Sequence, residues 1–204
     1  MRLDKLFENC LNAQYVHTED SGDYAVNRVG NRLYIYLERS NGGEDWSNNL
    51  DFPAKGYKRA DNSLFFSHRG FMRVWESMEE DIRRIISDPT IESVTIAGYS
   101  HGGALAVLCH EYVWSHRPDL RKGLLSFGFG APRVIWMPKR ELLPRWESFT
   151  LVRNPDDAVT HLPPAIFGYT HVGKKLEISK KGSYSPIDAH REENILRELR
   201  LIYT

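Results

Sequence analysis

The chain has 204 residues, enough to bury one substantial core, and its length fits a single domain over residues 1–204. Because 27 lysines and arginines balance 27 aspartates and glutamates, we expect no electrostatic recruitment to nucleic acid or to an anionic membrane. No stretch is apolar for long enough to span a bilayer, and residues 1–16 lack the unbroken apolar core of a secretory leader, so a cytoplasmic location is expected.

The chain has two cysteines, Cys10 and Cys109, which lie far apart and form no Cys-x-x-Cys pair. We therefore expect both to be buried as small apolar residues rather than to hold a metal. No cofactor is predicted, and the sequence does not indicate an oligomeric state.

The first third of the chain predicts a helix followed by a pair of strands. Apolar residues at helical spacing predict an amphipathic helix over residues 2–15, and strands follow at 24–29 and 33–37. The second strand is apolar, aromatic and branched, as central strands are. Because ligands gather where the strands of an open α/β sheet end, the loop 38–46 is expected to border a site.

The middle of the chain predicts a second helix and then a strand, a tight turn and a third helix. A brief extended segment at 65–69 leads into a helix at 71–86, whose apolar residues recur every three or four positions. A strand at 94–97 and an almost wholly apolar helix at 104–114 follow. This alternation favours an α/β domain.

The turn between that strand and helix reads Gly98-Tyr99-Ser100-His101-Gly102, which is the G-x-S-x-G pattern in a strand-to-helix context. Such a turn strains the backbone and exposes the hydroxyl, and the flanking glycines leave room for it. The alternative is a glycine-rich turn of the kind found in any α/β domain. We interpret Ser100 as a candidate nucleophile.

The rest of the chain is predicted to hold short strands and a last helix. In order, these are strands at 124–129 and 148–152 with a short helix at 139–143 between them, a loop at 154–164, short strands at 167–169 and 175–178, and a helix that begins at Ser185-Pro186.

A serine needs a base, and the base needs a carboxylate that fixes its tautomer. In strand-turn-helix hydrolases the chain order is serine, acid, histidine, which leaves His190 as the first choice, His171 as the second and His161 as the third. For the acid, Asp156 and Asp157 both follow a predicted strand, and either could be an ordinary turn residue.

The tetrahedral intermediate of acyl transfer needs two fixed donors for its oxyanion. One is expected from the backbone N–H of His101, and the other from the early loop, where Ser40 could supply an amide and a hydroxyl. Apolar residues expected near the strand ends are candidate substrate walls, although core or surface packing is an equal alternative for each. These are Ile135, Trp136, Leu142, Leu143, Ile166 and Phe167.

Several blocks occur together in one order along residues 33–199. They are Ser40 with residues 45–50, then 68–71, the GYSHGGALA block at 98–106, 130–134, 157–164, 169–173 and 188–190. On these blocks the chain resembles the class 3 lipase family, the fungal-lipase-like branch of the α/β-hydrolases. The resemblance implies a mostly parallel central sheet with helices on both faces.

The resemblance also implies roles for individual residues. It makes Ser100 the nucleophile, Asp157 rather than Asp156 the acid, and His190 the base. It implies Ser40 and the His101 amide as the oxyanion donors, and a structural role for His171. Segment 51–64 is polar where fungal members carry an apolar lid helix, so we expect no interfacial activation.

The favoured function is a cofactor-independent serine hydrolase that cleaves carboxylic esters, with an ester or lipid such as an acylglycerol as its partner. A second hypothesis is a binding or scaffolding protein that keeps the hydrolase fold without turnover. A third is an acyltransferase that passes the acyl group to an alcohol or amine instead of water.

Overall fold

Apolar strands alternate with helices along most of the chain. The computed structural model describes residues 1–18, 22–38, 53–58 and 63–203. The first elements are α1 (Leu3–Leu11), β1 (Tyr24–Val29), β2 (Arg32–Leu37), β3 (Ala54–Lys58), β4 (Leu64–His68), α2 (Arg69–Ile86), β5 (Ser93–Tyr99) and α3 (His101–His116). They are followed by β6 (Leu124–Phe129), β7 (Ile135–Trp136), β8 (Phe149–Arg153), β9 (Tyr169–Thr170), β10 (Lys174–Glu177) and α4 (Glu192–Leu201).

The central sheet has six strands in the order β1-β2-β5-β6-β8-β10. Only β1 runs antiparallel to its neighbour, while the other pairs are parallel. Helices cover both faces of this sheet. The prediction of a mostly parallel sheet between two helical layers is therefore confirmed.

The alternation of side chains along β5 divides the core into two parts. Ile96 belongs to the apolar cluster that contains α2 and α3, whereas Ala97 and Tyr99 belong to the cluster that contains α1 and α4. Successive side chains of a strand point to opposite faces, so one strand supports both layers. Helix α3 is buried on nearly every side, which explains why its sequence is apolar all round.

A second, antiparallel sheet of four short strands has the order β3-β4-β7-β9. Sequence analysis predicted the 65–69 segment of this sheet and a strand at 167–169 that shares Tyr169 with β9. It missed β7, whose two residues carry no readable alternation. Trp136 of β7 pairs with Phe66 on one side and with Tyr169 on the other. This small sheet brings apolar residues from distant parts of the chain to one surface.

Two helical segments differ from their predictions. The last helix begins at Glu192 rather than at Ser185, because residues Asp188–His190 form a separate 3-10 turn. Ser185 Oγ accepts a hydrogen bond from the backbone N–H of Asp188 at 3.1 Å, so the predicted cap belongs to this turn. The segment predicted as a helix at 139–143 is a 3-10 helix, Arg140–Trp146, that contains Pro144.

The segment predicted as a strand at 167–169 divides between a 3-10 turn, Ala165–Phe167, and β9. Both cysteines are buried, and burial raises the pKa of the Cys10 thiol to about 12. Among the described residues, no helix combines the length and the apolar character needed to cross a membrane.

Candidate active site

Ser100 lies at the junction of β5 and α3 in a left-handed backbone conformation, with φ 56° and ψ −118°. Its N–H donates to Phe129 O at 2.9 Å, which ties the turn to the neighbouring strand. A Cβ on Gly98 would lie 2.0 Å from Gly102 O, and one on Gly102 would lie 2.1 Å from Leu37 O. Because no side chain fits at either position, the two glycines of the motif allow the turn to form.

Three side chains from separate parts of the chain form one continuous row of hydrogen bonds. His190 Nε2 lies 2.8 Å from Ser100 Oγ, and His190 Nδ1 lies 2.8 Å from Asp157 Oδ2. These contacts fit the neutral tautomer in which Nδ1–H donates to the carboxylate and Nε2 accepts from the hydroxyl. Asp157 is fully buried, and the His190 side chain is 19% exposed.

The carboxylate of Asp157 is held from both sides. Its Oδ1 accepts from the backbone N–H of Val159 at 2.9 Å while Oδ2 faces His190, and Thr160 Oγ1 donates to its main-chain carbonyl at 2.9 Å. Each carboxylate oxygen therefore has a defined partner, as a buried charge requires.

The neighbouring Asp156 points to a different part of the molecule. Its carboxylate accepts from the backbone N–H groups of Gly182 and Tyr184. The Gly182 hydrogen bond lowers the pKa of Asp156 below its ordinary value. Of the two candidate acids, the structure brings only Asp157 to His190.

The other two candidate bases make hydrogen bonds to the main chain. His171 donates from Nε2 to Thr160 O at 2.7 Å, and burial lowers its pKa to about 4. His161 Nε2 lies 3.3 Å from Pro155 O. His171 thus supports the loop that carries Asp157.

Of the two predicted oxyanion donors, the structure describes His101. It is the first residue of α3, where a backbone N–H has no partner within the helix. Ser40 lies outside the described residues. The chain leaves β2 beside the serine turn, since a Cβ on Gly102 would lie 2.5 Å from Glu38 O.

An open apolar groove of about 550 Å3 lies on the second sheet. Its lining residues are Pro53, Ala54, Phe66, Trp136, Phe167 and Tyr169. Trp136 Nε1 donates to Phe167 O at 2.8 Å, which joins two of the six predicted substrate-wall residues. Another of the six, Ile166, is 88% exposed and stands outside this lining.

A run of ring contacts connects the groove with the serine turn. Tyr169 lies 5.7 Å from His68, and His68 stacks on Phe71 at 4.3 Å between ring centroids. Phe71 in turn lies 5.4 Å from His101, the residue after Ser100. These buried rings link one lining residue of the groove to the residue that follows Ser100.

Sequence analysis missed two residues that contact the turn carrying His190. The Tyr99 ring stacks on the His190 imidazole, with centroids 5.2 Å apart, and its hydroxyl donates to His190 O. Asn154 Nδ2 donates to Ala189 O at 2.6 Å. Tyr99 occupies one of the two unspecified positions of the G-x-S-x-G motif, so the motif itself gives it no role. Asn154 lies in a segment with the composition of an ordinary turn, which also indicates no role.

Comparison with known proteins identifies lipases as relatives. The chain is 25% identical over 163 residues to a lipase of Rhizomucor miehei, an alignment that covers 72% of this chain and 42% of the relative. It is 28% identical over 157 residues to secreted mono- and diacylglycerol lipase 1 of Fusarium solani, covering 72% of this chain and 44% of the relative. The chain thus spans less than half the length of these two relatives.

The fold has a counterpart among solved structures. A triacylglycerol lipase whose catalytic centre is formed by a serine protease triad superimposes with a TM-score of 0.67 and 22% identity, covering 82% of this chain and 66% of that one. This likeness confirms the predicted α/β-hydrolase fold.

The expected cytoplasmic location is wrong on this comparison, since the Fusarium solani relative is a secreted lipase. That prediction rested on the lack of a long apolar stretch and on the composition of residues 1–16, and the packing of a folded domain does not distinguish one compartment from another.

The family assignment rests on most of the chain. The model of the family Lipase (class 3) matches residues 34–167, a range that contains both Ser100 and Asp157. The resemblance drawn from sequence blocks is thereby confirmed, and the chain belongs to the class 3 lipase family.

Proposed function

We propose that this domain is a serine hydrolase that cleaves carboxylic ester bonds of lipids, with Ser100 as nucleophile, His190 as general base and Asp157 as the acid. The proposal is carried by the continuous hydrogen bonding from Ser100 Oγ through His190 to Asp157, with both contacts at 2.8 Å. Membership of the class 3 lipase family supports the choice of an ester substrate.

In the first half of the reaction, Ser100 Oγ attacks the ester carbonyl carbon while its proton passes to His190 Nε2. The resulting imidazolium faces the buried carboxylate of Asp157, which stabilises the positive charge at the moment it forms. In this proposal, the oxyanion accepts one hydrogen bond from the backbone N–H of His101 and a second from Ser40.

The tetrahedral intermediate then collapses and the bond to the leaving alcohol breaks. His190 Nε2–H gives its proton to the departing oxygen, which leaves an ester between Ser100 and the acyl group. A water molecule next attacks this acyl-enzyme and transfers a proton to His190. Breakdown of the second intermediate releases the carboxylic acid and returns the proton to Ser100 Oγ.

The apolar groove on the second sheet is the proposed place for the acyl chain. Trp136 and Phe167 line it, whereas the neighbouring Ile166 is exposed outside the lining. Burying an acyl chain there would gain about 0.8 kcal/mol for each methylene removed from water. The relatives, which are lipases, support a lipid rather than a small polar ester.

A fluorophosphonate probe tests the nucleophile directly. We expect the folded protein to be labelled on the peptide that contains Ser100, and we expect no labelling of the Ser100→Ala variant. A panel of p-nitrophenyl esters of increasing acyl length, run with the same control, then reports turnover. If the wild-type protein neither reacts nor turns over while it still binds lipid, the domain is a binding protein instead.

A further inference from the structure

The candidate base stands on a short turn outside the central sheet. His190 ends the 3-10 turn Asp188–His190, and the residues just before this turn, Pro186 and Ile187, are exposed. Asp188 O accepts the backbone N–H of Arg191 at 3.1 Å, but a single 3-10 turn is too short to supply such partners for the carbonyls of Ala189 and His190. Its position relative to Ser100 must therefore be set by other parts of the protein.

Side chains from three different elements supply those partners. Asn194 Nδ2 donates to Asp188 O at 2.8 Å, Asn154 Nδ2 donates to Ala189 O at 2.6 Å, and the Tyr99 hydroxyl donates to His190 O. Three successive carbonyls of the turn thus each accept one side-chain hydrogen bond. Asn154 and Tyr99 are both buried, so these bonds are shielded from water.

Tyr99 differs from the two asparagines because it also contacts the imidazole. Its ring lies 5.2 Å from the His190 ring, with 27° between the planes, and its edge meets Phe7 at 5.5 Å. The tyrosine is therefore fixed between α1 and the turn. An aromatic face beside an imidazole also stabilises the ring when it carries a proton.

Tyr99 is the last residue of β5 and directly precedes Ser100. One strand end thus carries the nucleophile and, next to it, the side chain that supports the base. The hydroxyl of Ser100 and the ring that contacts His190 are therefore held by the same strand end, with Ser100 Oγ 2.8 Å from His190 Nε2.

We propose that Tyr99 is a positioning residue for His190, which fixes the imidazole by ring stacking and fixes its turn by a hydrogen bond to the His190 carbonyl. This inference rests on the proposed function for its kinetic consequence. The inference also states that the imidazole loses its fixed orientation when the Tyr99 side chain is removed. This structural statement can be tested without measuring turnover.

Two variants separate the contributions of the hydroxyl and the ring. Tyr99→Phe keeps the stack and removes the hydrogen bond, so kcat for a p-nitrophenyl ester should fall about fivefold. Tyr99→Leu removes both contacts, so kcat should fall about a hundredfold because the His190 imidazole is misplaced. KM should stay within about twofold of the wild-type value, because the substrate groove is intact. The kcat of Tyr99→Phe should thus be about twentyfold higher than that of Tyr99→Leu.

Tyr24 provides the matched control, since it is also a buried tyrosine whose hydroxyl makes one side-chain hydrogen bond, to Asp81. Tyr24→Phe and Tyr24→Leu should lower the melting temperature as the Tyr99 variants do, yet leave kcat unchanged. If the Tyr99 variants lose no more kcat than the Tyr24 variants, Tyr99 is only a packing residue.

The orientation of the imidazole is measured without turnover by proton NMR. The His190 Nδ1–H proton, identified by its absence in His190→Gln, should give a downfield signal in the wild type that is broadened or lost in Tyr99→Leu. An unchanged signal in that variant overturns the inference. Failure of the wild type to react with a fluorophosphonate would instead count against the proposed function, and the NMR result would still decide the role of Tyr99.

Discussion

Gly130 and His190 approach so closely that a methyl group on the glycine would press on the imidazole. An ideal Cβ at Gly130 would lie 3.1 Å from both Cε1 and Nδ1 of His190 and 3.0 Å from Asp157 Oδ2. The glycine has a φ of +57° and donates its N–H to Val152 O at 2.8 Å. The end of β6 therefore forms the floor beneath the hydrogen bond that joins the base to the acid.

We expect Gly130→Ala to lower kcat at least tenfold, because the new methyl group must displace the imidazole or the carboxylate. The left-handed backbone adds a loss of about 1 kcal/mol in the free energy of unfolding. Gly30→Ala is the control, since its φ is +62° and an added Cβ has nothing within 4 Å. It should lose similar stability in urea denaturation and keep full activity, and equal kcat in the two variants would contradict the argument.

Neutralising Asp157 should lower kcat strongly, whereas neutralising the adjacent Asp156 should not change it. Asp157→Asn leaves His190 in the wrong tautomer, so kcat should fall by about 10³ to 10⁴ while the fold is kept. Asp156→Asn should leave kcat unchanged and lower the melting temperature slightly, because Asp156 accepts from the backbone at Gly182 and Tyr184. Ester hydrolysis and thermal unfolding of the two proteins measure both effects. A comparable loss of kcat in Asp156→Asn would mean that the acid is misassigned.

Two histidines whose pKa is lowered by burial, His110 and His171, should make the fold sensitive to acid. His110 donates from Nε2 to Arg145 O and accepts at Nδ1 from Ser126 Oγ, and burial lowers its pKa to about 4, as it does for His171. Below the ordinary histidine pKa of about 6.5 the unfolded chain binds more protons than the folded one, so stability falls as pH falls. Their contribution is thus fully present above about pH 6.5 and is lost as the pH drops toward 4.

From pH 7 to pH 5 this linkage should remove about 2 kcal/mol from the free energy of unfolding for each histidine. Urea denaturation at the two pH values measures the loss. Replacing His110 with Gln should shrink the pH dependence, although it also lowers stability at pH 7. An unchanged slope in the His110 variant would show that this histidine does not titrate on unfolding.

The sequence predicted the parts of the molecule in which a periodic pattern and a buried surface coincide. The apolar stripe of α2 and the central strands β2 and β5 are examples, because burial on one or both faces demands long apolar runs. The two-residue strand β7 was not predicted, and the bounds of β9 were predicted only in part, since pairing between distant segments, rather than any local pattern, creates both strands.

The order of the candidate residues along the chain and the serine motif indicated where the candidate site lies. They could not show in which direction individual side chains point. Asp156 and Asp157 are neighbours on one turn, and only the family resemblance favoured Asp157. In the structure their carboxylates face different loops. No sequence pattern indicated the contact between Tyr99 and His190, because the stacking of their rings depends on where the turn before α4 lies.

The apolar groove should discriminate between acyl chains. Phe167 lines it, whereas the adjacent Ile166 is 88% exposed and outside its lining. Phe167→Ser should lower kcat/KM for p-nitrophenyl octanoate about tenfold relative to the acetate ester, because lost apolar contact of this size is worth about 1.5 kcal/mol or more. Ile166→Ser, one residue away, should change the ratio of the two esters less than about twofold. If both variants shift the ratio equally, or if neither does, the long acyl chain binds elsewhere and the groove on the second sheet is not its site.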